Sequence, residues 1–262
     1  MSAEVVIAPD GKRSMVFSLL SARYRQECIV DELRREFAQQ DYVWLPQLFS
    51  DEVFALVKAE VDRLEQFANR RNFVMSPYQT PRVMKPLSGK VIMRESTLLG
   101  TLYVHHQVRH LIDSIAGTQV YTCLDPTEWM VANFLDQRGD TQGFHLDAPA
   151  YALILCLDAP PANQGGLLEY VRYWREICAA RDVDPKSEVA PDLIEHLRAA
   201  GLVQVRHHAP GDGYLIRADR CLHRVTPLTE ASTRRAVLNM AFDVTLDPDR
   251  DDTALTLYDQ GV

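Results

Sequence analysis

The sequence predicts an α+β protein with a mainly β core, a double-stranded β-helix (cupin-like jelly roll) buttressed by helices. Three observations carry this. Short apolar runs alternate with glycine-bounded turns over residues 118–245. Two amphipathic helical stretches come before them. His145-Leu146-Asp147 opens one strand-and-turn repeat, and His223 stands in the matching place of the next.

With 262 residues, 47% hydrophobic and 24% charged, the chain has material for one substantial core and reads as a single domain over 1–262. Residues 1–20 read as an N-terminal arm, and 21–117 as mainly helical support with a substrate-side loop. Gln26 to Gln39 sets Ile29, Val30, Leu33 and Phe37 at helical spacing. Tyr42 to Leu45 is a short strand closed by Pro46. Ser50 caps a second helix, with Asp51 and Glu52 in its first turn. Val53, Leu56, Val57, Val61, Leu64 and Phe67 form its apolar face. Residues 72–95, with prolines at 77, 81 and 86, read as an irregular loop or strand edge beside a pocket. Thr97 to Gly117 reads as one helix with Gly117 as its C-terminal cap. Its His106 and His110 have i,i+4 spacing but no third ligand, and read as surface.

The roll occupies 118–245. Trp129 to Leu135 is the entry strand, and Gly139 to Phe144 turn into the His145 motif. Tyr151 to Leu157 is a buried strand, and Asn163 to Gly166 turn into Leu167 to Val171. Residues 172–200 read as an insertion or lid, helical from about Pro191. The turn Pro210-Gly211-Asp212-Gly213 leads to Tyr214–Ala218, then to His223, then to the strand Arg235 to Asp243. Residues 246–262 read as a C-terminal tail.

Composition narrows the function. A net charge of −8 argues against nucleic acid as the main partner. No stretch reads as a signal peptide or a transmembrane helix. Five scattered cysteines without CxxC spacing argue against a disulfide scaffold or a zinc site and point to a cytoplasmic setting. The expected partner is a small molecule, and a homodimer stays open.

The chemistry lies in three residues. On a strand, residues i and i+2 share a face, so His145 and Asp147 would present an imidazole and a carboxylate together. His223 would complete the two-His-one-carboxylate set that leaves positions open on Fe(II) for O2 chemistry. Alone, His-x-Asp also fits a polar pair on a strand. The ordered set of that motif, a PGD turn, a distal His and then Arg is what sets it apart. A guanidinium shortly beyond His223, from Arg234 or Arg235, could grip the far carboxylate of 2-oxoglutarate. Strand alternation turns those two arginines to opposite faces, so only one can serve.

The chain carries Thr80-Pro81-Arg82-Val83-Met84, Asp125-x-x-Glu128, Val131-x-Asn133, GDTQGFHLD at 139–147 and PGDGYLIRADRCLHRVTPL at 210–228. With these and Arg235–Asp243 it resembles the Fe(II)/2-oxoglutarate enzymes that hydroxylate or halogenate free amino acids, a group that includes the free-lysine halogenases. The resemblance covers about 80–243. It implies that His145, Asp147 and His223 hold iron as the catalytic centre and that Arg235 binds 2-oxoglutarate. It implies that Arg82 pairs with the carboxylate of a free amino-acid substrate, and that Glu128 and Asn239 meet its amine or another polar group. Ala241 departs from the family's substrate contacts. Halogenases of the group carry glycine where this chain has Asp147, so the resemblance implies hydroxylation, with succinate and CO2 released. Two further readings share the motif. One is an oxygenase that desaturates, cyclises or cleaves a specialised metabolite. The other is a jelly-roll binding protein with a vestigial triad.

Overall fold

A computed structural model describes residues 3–7 and 13–246, so the expected C-terminal tail lies outside the described residues but for Leu246. The first half holds β1 (Ala3–Ile7), β2 (Arg13–Phe17), α1 (Glu27–Gln40), β3 (Tyr42–Leu45) and α2 (Asp51–Leu64). It continues with β4 (Arg71–Met75), β5 (Thr80–Leu87), α3 (Gly89–Glu95), α4 (Thr97–Val104) and α5 (His106–Ala116). Next come β6 (Tyr121–Thr122), α6 (Pro126–Trp129), β7 (Met130–Leu135), β8 (Thr141–His145) and β9 (Tyr151–Asp158). The last part holds β10 (Leu168–Val171), α7 (Trp174–Ala179), α8 (Pro191–Ala199), β11 (Val203–Arg206), β12 (Gly213–Arg217), β13 (Leu222–Val225) and β14 (Arg235–Asp243).

Strands β3 to β14 form one curled antiparallel sheet, ordered β11-β10-β13-β8-β5-β7-β14-β9-β12-β3, with β4 beside β5 and β6 beside β14. The curl turns on β5, whose Arg82 and Val83 pair with β8 while Lys85 to Leu87 pair with β7. Two facing sheets joined in this way are the expected jelly roll. The β1–β2 hairpin forms a separate two-stranded sheet in the expected arm. No helix among the described residues is long and apolar enough to cross a membrane.

Parity of side chains divides the interior. On β14, Ala236, Leu238, Met240 and Phe242 join the core packed under the helices, while Arg235, Val237, Asn239 and Ala241 face the cleft between the sheets. On β9, Leu153, Leu155 and Leu157 face the helices, and Ala152 and Ile154 face the cleft. This is the period of two that a pleated strand imposes. On the helix side, Leu33 and Phe37 of α1 and Val57, Val61 and Leu64 of α2 complete the core. Each such side chain, fully buried, contributes about 1.5–3 kcal/mol.

Several elements differ from the sequence reading. The 72–95 stretch, read as a loop or strand edge, is a β4–β5 hairpin followed by α3. The 97–117 helix is two helices broken at His105, whose backbone is extended and whose Nδ1 accepts the Gln107 N–H at 3.3 Å. Gly117 closes α5 in the left-handed region, as expected. Leu56 is 50% exposed because it falls at the edge of the α2 stripe. The entry strand begins one residue later than read, since Asp125 caps the short helix α6 with its carboxylate on the Thr127 N–H at 2.8 Å.

Two buried acids shape the turns beside the site. Asp140 accepts the Asp136 and Gln137 N–H groups at 2.9 and 3.1 Å and pairs with Arg70, fixing the turn into β8. Asp212 accepts the Ala209 N–H at 3.0 Å within the PGD turn and the Gln47 N–H at 3.2 Å. In β8, a Cβ on Gly143 would meet Thr80 Cβ at 2.6 Å, so only glycine lets β5 lie this close.

Residues 172–200 cap the side of the roll formed by β10, β13, β8 and β5. Trp174, Cys178, Ile194 and Leu197 pack with Met84, Phe144 and Leu146. Glu169 of β10 ties this cap to the roll, accepting from Arg198 at 2.8 and 3.0 Å and from Arg224 at 2.7 Å. Burial works to raise the Glu169 carboxyl, but Arg198 and Arg224 hold it below its usual value. Its stabilisation is therefore complete above the unfolded pKa near 4.5 and is lost as the pH falls through the lower folded value. Glu169→Gln should cost about 1–3 kcal/mol at pH 7, with the gap to wild type narrowing in acid. Equal urea midpoints for the two proteins at pH 7 would refute the role of this fork.

Candidate metal centre

His145 ends β8 and pairs in register with His223 of β13. Their ring centroids are 4.3 Å apart. Asp147 is not on the strand with His145, as the sequence reading had it. Its backbone N–H leaves the ladder and bonds the Ala218 carbonyl at 2.9 Å, beyond β12. The carboxylate is nonetheless brought to the imidazoles, with Oδ1 at 3.3 Å from His145 Nε2 and 3.7 Å from His223 Nε2. One ligand atom from each residue lies within 4.8 Å of the others, an arrangement that could hold a metal ion.

Backbone carbonyls orient both rings. His145 Nδ1 lies 2.8 Å from the Gly143 carbonyl, and His223 Nδ1 lies 2.9 Å from that of Cys221. With Nδ1 as donor, each Nε2 keeps its lone pair facing the partner residues, the tautomer that metal binding needs. Burial, the neighbouring His223 and Arg82 push the His145 pKa down to about 4, against the pull of Asp147. That imidazole is neutral at pH 7. Burial works to raise the Asp147 carboxyl, yet His223, His145 and Arg82 hold it below its usual value. Two imidazoles and a carboxylate, with no further protein ligand in the cluster, fit a divalent iron that keeps open positions.

The cleft around this cluster contains every site residue that the family resemblance implies: Arg82, Glu128, His145, Asp147, His223, Arg235 and Asn239. Arg82 of β5 is fully buried, and its Nη1 donates to the carbonyls of Gly143 and Pro81 at 3.0 and 3.1 Å. Arg235 is 5% exposed, and among the described residues no carboxylate pairs with it. Arg234 faces the other way and pairs with Asp62 at 2.8 Å, Glu65 at 3.0 Å and Asp158 at 3.5 Å. The alternation of β14 thus puts Arg235 in the cleft and Arg234 on the helix side.

Three polar residues of the cleft, Tyr214, Asn133 and Gln142, were not singled out as site residues. Tyr214 of β12 lies beside Arg235, and burial raises its phenol to about 12 although Arg235 opposes this. His208 stacks behind Tyr214 at 4.4 Å. Burial, Arg235, His207 and Arg206 lower its pKa to about 3, and its Nε2 lies 2.7 Å from the Tyr42 hydroxyl. Asn133 of β7 is buried, with an Oδ1 that meets no hydrogen-bond donor, as is also true of Asn239 Oδ1. A lone amide inside the apolar run Met130–Leu135 is the signal that could have marked Asn133. The third is Gln142, whose side-chain amide lies 3.1 Å from His145 Nε2.

A family model described as halogenase D matches residues 25–259. Solved structures share the fold at low identity. The epimerase SnoN from nogalamycin biosynthesis, described as non-heme and alpha-ketoglutarate dependent, is 14% identical, with a TM-score of 0.60 over 86% of this chain and 95% of its own. AviO1 from Streptomyces viridochromogenes Tue57 is 17% identical, with a TM-score of 0.58 over 84% and 97%. A prolyl hydroxylase from Trichoplax adhaerens, solved with a hypoxia inducible factor peptide, is 12% identical, with a TM-score of 0.57 over 83% and 90%. No curated protein matches the chain in sequence.

Proposed function

The chain belongs to the halogenase D family of Fe(II)- and 2-oxoglutarate-dependent oxygenases, and from that premise we propose that it hydroxylates a C–H bond of a free amino acid or a close analogue. One observation carries this reading. A single cleft joins a two-His-one-Asp donor set to two buried guanidinium groups, Arg235 and Arg82, with the Glu128 carboxylate also lining it.

His145, Asp147 and His223 hold the iron in this reading. Iron, with 2-oxoglutarate and O2, supplies the oxidation of the C–H bond and the release of succinate and CO2. Asp147 fills the position that a halogenase of the resembling group leaves to glycine, which favours hydroxylation. Arg235 grips the far carboxylate of 2-oxoglutarate as a fork, and the Tyr214 hydroxyl beside it adds a donor. A buried cation with no carboxylate partner gains most from such an anion. Arg82 takes the substrate carboxylate, while Glu128 and Asn239 accept from its amine or another N–H. Val131, Ile154, Leu168 and Val237 keep water from the reacting carbon. The distance from the Arg82–Glu128 anchors to the iron then selects the carbon attacked.

The test is a panel of free amino acids incubated with Fe(II), 2-oxoglutarate and O2, scored for substrate-stimulated succinate and for product mass. A product heavier by one oxygen is expected for at least one amino acid. A product lighter by two hydrogens would replace hydroxylation with desaturation or ring closure. No stimulation by any amino acid would overturn the substrate class.

A further inference from the structure

Gln142 lies on β8 opposite Arg82 of β5, three residues before His145. Its side chain meets the His145 nitrogen that a metal would need. With His145 donating from Nδ1 to the Gly143 carbonyl, the tautomer that metal binding needs, Nε2 is an acceptor, and Gln142 Nε2 stands 3.1 Å away as its donor. A ring nitrogen has one lone pair, which cannot accept from an amide and bind a metal at once.

We propose that Gln142 is a placeholder, its carboxamide holding the His145 lone pair in the metal-free protein and being displaced when metal binds. The inference rests on the metal reading above. Displacement has two effects. It opposes metal binding by the worth of one hydrogen bond. It also turns an amide donor loose into the cleft, beside the Arg82 guanidinium on the neighbouring strand. An amide and a guanidinium side by side make a donor pair for an anionic group. The metal therefore completes a binding position by freeing this amide, and by linkage an anion held there tightens the metal in return. Gln142 acts here as a positioning residue through His145.

The experiment titrates the metal-free protein with Co(II), whose absorption reports coordination. It compares wild type with Gln142→Leu, which removes the amide and adds no ligand. The variant should bind Co(II) about fivefold more tightly, a gain that structural damage would not produce. In the wild type, the Gln142 side-chain amide resonances should move when Zn(II) is added, a readout that does not depend on the variant folding. Equal or weaker Co(II) binding by a folded variant, or amide resonances that stay in place, overturns the placeholder. If wild type and Asp147→Ala take up Co(II) equally well, the metal reading itself fails, and the inference with it.

Discussion

Asp147→Ala should lower succinate formation by at least about a hundredfold and weaken Co(II) binding in parallel. The basis is the cluster geometry. Asp147 Oδ1 is within 3.7 Å of both imidazole Nε2 atoms, and the carboxylate is the one anion among the three donors. Removing it leaves two imidazoles without an anion beside the buried cation Arg82, a poor host for a divalent ion. Loss of outer partners of metal ligands alone typically costs 10–100-fold, so loss of a ligand should exceed that. The fold should persist, because Asp147 lies beyond the end of β8 and is held there by a backbone bond to Ala218 that alanine retains. A variant with wild-type Co(II) affinity and turnover would remove Asp147 from the centre.

The second large effect separates two adjacent arginines. Arg235→Leu should raise the 2-oxoglutarate KM by about a hundredfold or more, since two charge-assisted bonds contribute about 1.5–3 kcal/mol each and 1.4 kcal/mol is tenfold. Arg234→Leu should leave that KM within about twofold. It breaks partly exposed pairs with Asp62, Glu65 and Asp158, which are screened and together worth about 1 kcal/mol of stability. If the two variants change KM alike, the cosubstrate does not read the parity of β14.

Much of the roll was legible because its strands obey local rules. Arg235 to Asp243 was read with its true bounds, since one face of that strand is uniformly apolar and packs on helices. Ser50 was read as a cap and does accept the Val53 N–H. What failed depended on partners distant in sequence. The prolines of residues 72–95 argued against a helix and left a loop or strand edge, and β5 accommodates Pro81 and Pro86 because it changes neighbours along its length. Pro81 pairs with β4 before the β8 pairing begins, and Pro86 pairs with β7 after the β4 pairing ends. Each proline thus has a strand on one side only. The break at His105 is set by a cap that its own ring supplies, a choice that apolar periodicity does not reveal. The site followed the same pattern. His145, Asp147 and His223 were named by spacing, and the cleft unites them with Arg82, Glu128, Arg235 and Asn239. Tyr214 and Gln142 were passed over because their chemistry comes from Arg235 and His145, which meet them only after folding.

The parity of β14 has a practical corollary for engineering. Val237, Asn239 and Ala241 line the cleft that holds the His145–Asp147–His223 cluster, while Leu238 and Met240 between them pack into the core beneath the helices. Libraries confined to Asn239 and Ala241, which sit outside the core clusters, would vary selectivity with less loss of thermal robustness than changes at Val237, and a relative of this chain could switch metabolite by drift at alternate codons of one short segment.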